Sequence, residues 1–257
     1  MALVTLDVVA LLPPGMRGAA VALSDQLAQD MRAQGCRSHF RLGRPFDGVD
    51  AGPCEPHVSI FMLAVDTTEV DEVVRATRRV ADAVETLTAG GERYLHNPFG
   101  APEVHFRKNA VWVDLQRMVI DAVEPLRRGR LRETDPAGSR IRSVMDDPRE
   151  DPARRRQLAR FGYDEVTETW PSADWSEDRF NPHVTLAWPV APEFRIRLTG
   201  LPPAHEFSGS LPGLAVYGMS PFGTCTTLHG LAPFGGSSGV NAAGRMNGHS
   251  SACTSRE

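Results

Sequence analysis

Apolar residues recur along this chain in two periods, and the periods alternate. Residues 3 to 12 are aliphatic and β-branched and stop at Pro13-Pro14-Gly15, which predicts a mostly buried strand. Met16, Ala20, Leu23, Leu27 and Met31 then follow helical spacing, with Gly35 closing the run. Residues 36 to 55 read as loop and short strand pieces, punctuated by glycine and proline. A strand at about 57 to 65 comes next. Val70, Val73, Val74, Val80, Val84 and Leu87 then predict a helix over 69 to 88, with Thr68 as N-cap and Gly90-Gly91 as stop. Short strands are expected at 92 to 96, 103 to 107 and 110 to 115, with a turn at Asn109. Met118, Val119 and Ala122 suggest a short helix ended by Pro125. A helix is predicted at 151 to 160 and a strand at 183 to 188. Four further strands are expected near 194 to 199, 205 to 210, 213 to 219 and 224 to 232.

Two of these strands open almost identically: Pro56-His57-Val58-Ser59-Ile60 and Pro182-His183-Val184-Thr185-Leu186. Side chains alternate faces along a strand, so His57 and Ser59 share one face while Val58 and Ile60 take the other. The same holds for His183 and Thr185 against Val184 and Leu186. Each stretch offers one imidazole and one hydroxyl to a surface and anchors itself in a core. The bare pattern of histidine, any residue, then serine or threonine is a weak signal, and His249-Ser250-Ser251 in the tail repeats it by accident. The shared proline, valine and aliphatic flanks raise the first two copies above that level.

On these residues the chain resembles the two-histidine phosphoesterases, the group that includes RNA ligase-like 2',3'-cyclic phosphodiesterases. The resemblance covers about residues 2 to 233. It rests on the two motifs, on Asn181 before the second, and on the leading strand and helix of 3 to 34, with Ser59 where threonine is commoner. It implies an α+β fold of two lobes related by a pseudo-twofold axis. Two antiparallel sheets would face a central cleft with helices packed outside. It also implies that His57 and His183 are an acid/base pair and that Ser59 and Thr185 hold a phosphate.

Elementary chemistry asks for the same groups. Splitting a phosphodiester without a metal needs a base to take a proton and an acid to give one. Imidazole, titrating near pH ~6.5, does either close to neutrality. Hydroxyls aimed at the non-bridging oxygens stabilise charge that grows there. Which histidine is the acid depends on the direction in which substrate lies. The expected activity is cleavage of a cyclic or 2'-5' phosphodiester on an RNA end or small nucleotide. A non-catalytic nucleotide-binding module, or an enzyme of the same fold acting on another phosphoester in small-molecule biosynthesis, remain as alternatives.

Composition alters this picture little. The formal net charge of -4 argues against a bulk polyanion binder. Residues 127 to 160 depart from the rest, with eleven arginines, no lysine and six acids. They read as an exposed insertion, either a phosphate-binding arm or a solvated face. Cys36, Cys54, Cys225 and Cys253 form no C-x-x-C pair and no zinc-finger spacing, so no metal and no cofactor are expected. Reduced thiols suggest the cytoplasm. The apolar run from Ala2 to Pro14 has no basic lead and contains Asp7, so it does not read as a signal peptide, and no stretch is long enough to span a membrane. His96, His105, His205 and His229 read as structural histidines, and Phe99 and Phe106 as core. Trp170 and Trp175 read as packing under the insertion. The chain is expected to be a monomer, with a single domain over 1 to 234 and a disordered tail over 235 to 257.

Overall fold

Strand β1 (Leu3–Leu11) keeps Leu6, Val8 and Ala10 in the main core, while Asp7 and Val9 face the other way. This alternation shapes the whole computed structural model, which describes residues 2–46, 52–168 and 178–235. After β1 come α1 (Pro14–Ala33), β2 (His57–Asp66), α2 (Val70–Asp82), β3 (Leu87–His96) and β4 (Pro102–Phe106). Then follow α3 (Ala110–Arg127), α4 (Ile141–Asp146), α5 (Pro152–Phe161) and β5 (His183–Thr185). β6 (Ser208–Leu211), β7 (Gly213–Ser220) and β8 (Thr224–Pro233) complete the order.

The strands make two antiparallel four-stranded sheets, ordered β2-β1-β7-β8 and β5-β4-β3-β6. The fold is therefore α+β, with one histidine motif in each sheet. The first sheet is built from the two ends of the described chain and the second from its middle. α2 packs on β7 and β8, and α3, although it follows β4 of the second sheet, packs back on β2 of the first. The main apolar core runs through both sheets and α1, α2 and α3, from Leu27 and Met31 of α1 to Trp112 and Val119 of α3. Among the described residues, no helix is long and apolar enough to cross a membrane.

Four expectations need correction. The helix expected over 69 to 88 ends at Asp82, and Leu87, Gly90 and Gly91 belong to β3. Gly91 serves a close approach: a Cβ there would lie 1.9 Å from the Ala204 carbonyl oxygen. The strand at 110 to 115 and the short helix after it are one helix, α3. Asn109 caps it, its Oδ1 accepting from the backbone N–H groups of Val111 and Trp112. The buried stripe is Trp112, Leu115, Gln116, Val119, Ile120 and Val123. It outweighs the β-like run Val111-Trp112-Val113, and Pro125 is carried in the last turn. No strand forms at 194 to 199, where the proline-rich connector stays irregular.

The fourth correction concerns residues 127 to 160, which are far from uniformly exposed. Arg127 and Arg132 are buried, and Ile141, Val144 and Leu158 make a small core of their own. Arg128 and Arg130 pair with Glu69, while Arg154 pairs with Asp135, Glu150 and Asp164. Much of the segment's positive charge is taken up in internal staples. Trp170, Trp175 and residues 236 to 257 lie outside the described residues.

Candidate active site between the two sheets

His57 opens β2 and His183 opens β5, each directly after a proline. Their strands turn Val58 and Val184 into the core, so the imidazoles face the opposite way. Both rings, with Ser59 and Thr185, line one cleft of about 550 Å³. That size suits a nucleotide-sized ligand.

The two half-sites are built alike. His57 Nδ1 lies 2.6 Å from the Glu55 carbonyl oxygen and His183 Nδ1 lies 2.7 Å from that of Asn181. A carbonyl only accepts, so each Nδ1 carries the proton and donates it, which leaves Nε2 as the reactive nitrogen. Beside each Nε2 sits a buried carboxylate from the neighbouring strand. Asp7 Oδ2 of β1 is 3.8 Å from His57, and Glu103 Oε1 of β4 is 3.6 Å from His183. Each motif hydroxyl turns to the same carboxylate. Ser59 Oγ donates to Asp7 Oδ2 at 2.7 Å, and Thr185 Oγ1 reaches Glu103 Oε1 at 3.5 Å.

The surroundings then differ. Glu103 also accepts from Asn97 Nδ2 at 3.0 Å and lies 3.0 Å from His105 Nε2. The His105 ring stacks on His183 with centroids 5.3 Å apart. Glu165 is a further carboxylate near His183. Burial pushes the His183 pKa down, but Glu103 and Glu165 outweigh it and the net displacement is upward. Glu103 itself is held low, because the His183 and His105 charges and its hydrogen bonds exceed the cost of burial. His57 goes the other way: burial lowers it, the charge of His183 adds to that, and the bond to Glu55 offsets only part. Asp7, fully buried, is pushed up to about 8 by desolvation despite the Ser59 hydrogen bond. Its Oδ1 has no partner. Cys225 Sγ of β8 lies 3.6 Å from His57 Nε2 and 4.0 Å from Asp7 Oδ2.

The cleft lining is both aromatic and acidic. His39 stacks on Phe222 at 4.0 Å, and Trp188 lies 5.5 Å from Phe222 and 5.8 Å from Phe99. Phe222 holds φ at 61°, a left-handed position costly for a bulky side chain. Asp135, Glu150, Asp164 and Glu165 line the cleft as well, with Arg154 and Arg179 among them. Phe99, expected as core, is partly buried and lines the cleft, and His105 is a neighbour of the site. Phe106 is core. His96 also borders the cleft, but its Nε2 is buried without a partner. Glu103 was not singled out from the sequence, Asp7 stood out only as a lone charge within an apolar strand, and Cys225 only as one of four cysteines without metal spacing. His105, read as a structural histidine, lies in the cleft against His183.

No protein-family model matches the sequence, nor does any curated protein. Among solved structures, the chain is similar to E. coli LigT in complex with NADP+, at 15% identity and a TM-score of 0.47, over 91% of this chain and 99% of that one. It is similar to TT0787 of Thermus thermophilus over the same shares, at 16% identity and a TM-score of 0.48. A structure described as a phosphoesterase matches at 15% identity and 0.45, again over 91% and 99%.

Proposed function

We propose that this chain is a two-histidine phosphodiesterase that splits a cyclic or 2'-5' phosphodiester of a small nucleotide or RNA end by metal-free acid/base catalysis. One observation carries the reading: two imidazoles from different sheets present Nε2 to one cleft, each held by a backbone carbonyl and each beside a hydroxyl. The asymmetry of the carboxylates divides the labour. His183, with Glu103 at 3.6 Å and Glu165 nearby, is the imidazolium that gives its proton to the departing ribose oxygen. His57, beside a thiol in a drier corner, starts neutral and takes the proton of the attacking water. After one turnover the proton sits on His57 and is missing from His183, and solvent restores both. As the substrate enters, Ser59 and Thr185 turn their hydroxyl protons from Asp7 and Glu103 to the non-bridging oxygens.

Of the acids Asp135, Glu150, Asp164 and Glu165 on the cleft wall, the first three are paired with Arg154, so they are compensated in place and do not by themselves select among anionic substrates. The aromatic rings of Phe222, Trp188 and Phe99 offer the base a stacking surface. The test is a panel of 2',3'-cyclic, 3',5'-cyclic and 2'-5'-linked nucleotides against wild type, His57→Ala, His183→Ala and the double variant. Each single variant should lose about 10² to 10⁴ in turnover. Wild-type rates no higher than the double variant on every substrate would sink the catalytic reading and leave that of a binding module.

A further inference from the structure

Cys225 has no part in the chemistry above, yet its sulfur faces the reactive nitrogen of His57 across 3.6 Å. With Asp7 Oδ2 it closes a triangle whose other edges are 3.8 and 4.0 Å. Tetrahedral zinc holding one nitrogen, one carboxylate oxygen and one sulfur sets such edges at roughly 3.3 to 3.6 Å. The three donors need move only a few tenths of an ångström inward. We propose that Asp7, His57 and Cys225 form a binding site for a divalent transition ion of the zinc class.

The supporting contacts are those of a metal site. His57 donates its other ring N–H to the Glu55 carbonyl, which fixes the tautomer and turns the Nε2 lone pair toward the triangle. Ser59 hydrogen-bonds the ligating carboxylate oxygen. The strand carrying Cys225 is tied to the same turn, since Glu55 N–H donates to the Cys225 carbonyl at 2.9 Å. Independently of these, Asp7 has no exposed surface and its Oδ1 has no partner, a state that a cation beside the carboxylate relieves. A thiol among the donors excludes hard ions such as magnesium and calcium. The ion displaces two protons to solvent, the thiol proton and the one that burial keeps on Asp7, and binds the thiolate and the carboxylate. Entry is from the cleft, which His57 lines. Once seated, the ion occupies the lone pair that proton transfer uses, so it inhibits. That consequence alone rests on the phosphodiesterase reading.

Cobalt reports the site directly. Titrating the reduced, chelator-free full chain with Co2+ should raise a near-ultraviolet thiolate-to-cobalt band that saturates at one equivalent. Zn2+ should remove the band and Mg2+ should not. Cys225→Ser should abolish it, whereas Cys36→Ser, Cys54→Ser and Cys253→Ser should keep it. Ser59→Ala, which strips the carboxylate of its hydrogen bond, should weaken cobalt binding by about 10-fold or more. No band in wild type, or a band that survives in Cys225→Ser, overturns the site. Should Cys225→Ser fail to fold, an unchanged cobalt affinity in Asp7→Asn overturns it equally. Turnover by metal-free protein tests the phosphodiesterase reading separately. A saturated band with full turnover would remove His57 from the ligands.

Discussion

Glu103→Gln isolates what holds His183 charged. The carboxylate oxygen sits 3.6 Å from His183 Nε2, and both side chains are largely buried, at 7% and 20% exposure. At that distance and an effective dielectric of about 20, the attraction is about 4 to 5 kcal/mol before the cost of drying both groups is counted. A pKa unit corresponds to about 1.4 kcal/mol, so complete loss could move His183 by about three units. Glu165 remains to hold part of the charge, and we expect a fall of about one to two units. Glutamine keeps the shape and an amide oxygen for Asn97 and Thr185. The sign follows from the role: an acid must be protonated, its raised pKa keeps it so to higher pH, and lowering that pKa brings the loss of activity to lower pH. The assay is kcat/KM against pH on the best substrate of the panel, with the His183 ring titrated by NMR. The alkaline limb should move down by about one to two units, while the rate well below it changes little. An unmoved limb, or a loss equal at every pH, would refute the assignment of His183 as the acid poised by Glu103.

Ser59→Ala and Thr185→Ala should each cut kcat by about 10² to 10³ if the hydroxyls meet charge that grows in the transition state, and a rise in KM alone would demote them to ground-state binding. Gly91→Ala should destabilise by about 1 to 3 kcal/mol, since its new Cβ would meet the Ala204 carbonyl oxygen 1.9 Å away. Gly15→Ala, in the first turn of α1 with nothing within 4 Å, should be neutral or stabilising by up to about 1 kcal/mol. Denaturant unfolding of the two variants side by side reads both. Trp112→Ala, at a fully buried position in α3, should cost about 3 to 5 kcal/mol in the same measurement, and a cost under about 1 kcal/mol would mean that α3 does not anchor β2.

The parts of the fold legible in the sequence were those written in a local period. β1, α1, β2, β4 and α5 lie where spacing and breakers placed them, because apolar alternation and caps act within a few residues. The misreadings share a cause. Gly90-Gly91 looked like a helix stop, yet Gly91 is small because the segment at Ala204 crosses it. Val111-Trp112-Val113 looked like a strand, but a helix that packs on β2 and α2 and buries Trp112 beside Phe106 overrode local preference. The arginines of 127 to 160 read as an exposed insertion, either a phosphate-binding arm or a solvated face, because Asp164, one partner of Arg154, and Glu69, the partner of Arg128 and Arg130, lie outside the segment.

The sequence by itself determined that His57 and Ser59 share a face, that His183 and Thr185 do likewise, and that valine roots each strand in a core. These are consequences of a two-residue period. Only tertiary structure decided which groups those faces meet. Asp7 reaches Ser59 because β1 pairs with β2 in a register shifted at Val8/Val9, and Glu103 reaches Thr185 because β4 pairs with β5. Cys225 arrives from β8, two strands away from β1 in the same sheet. Register and sheet order are fixed by core packing between segments remote in sequence, so no local pattern carries the charge that tells the two histidines apart.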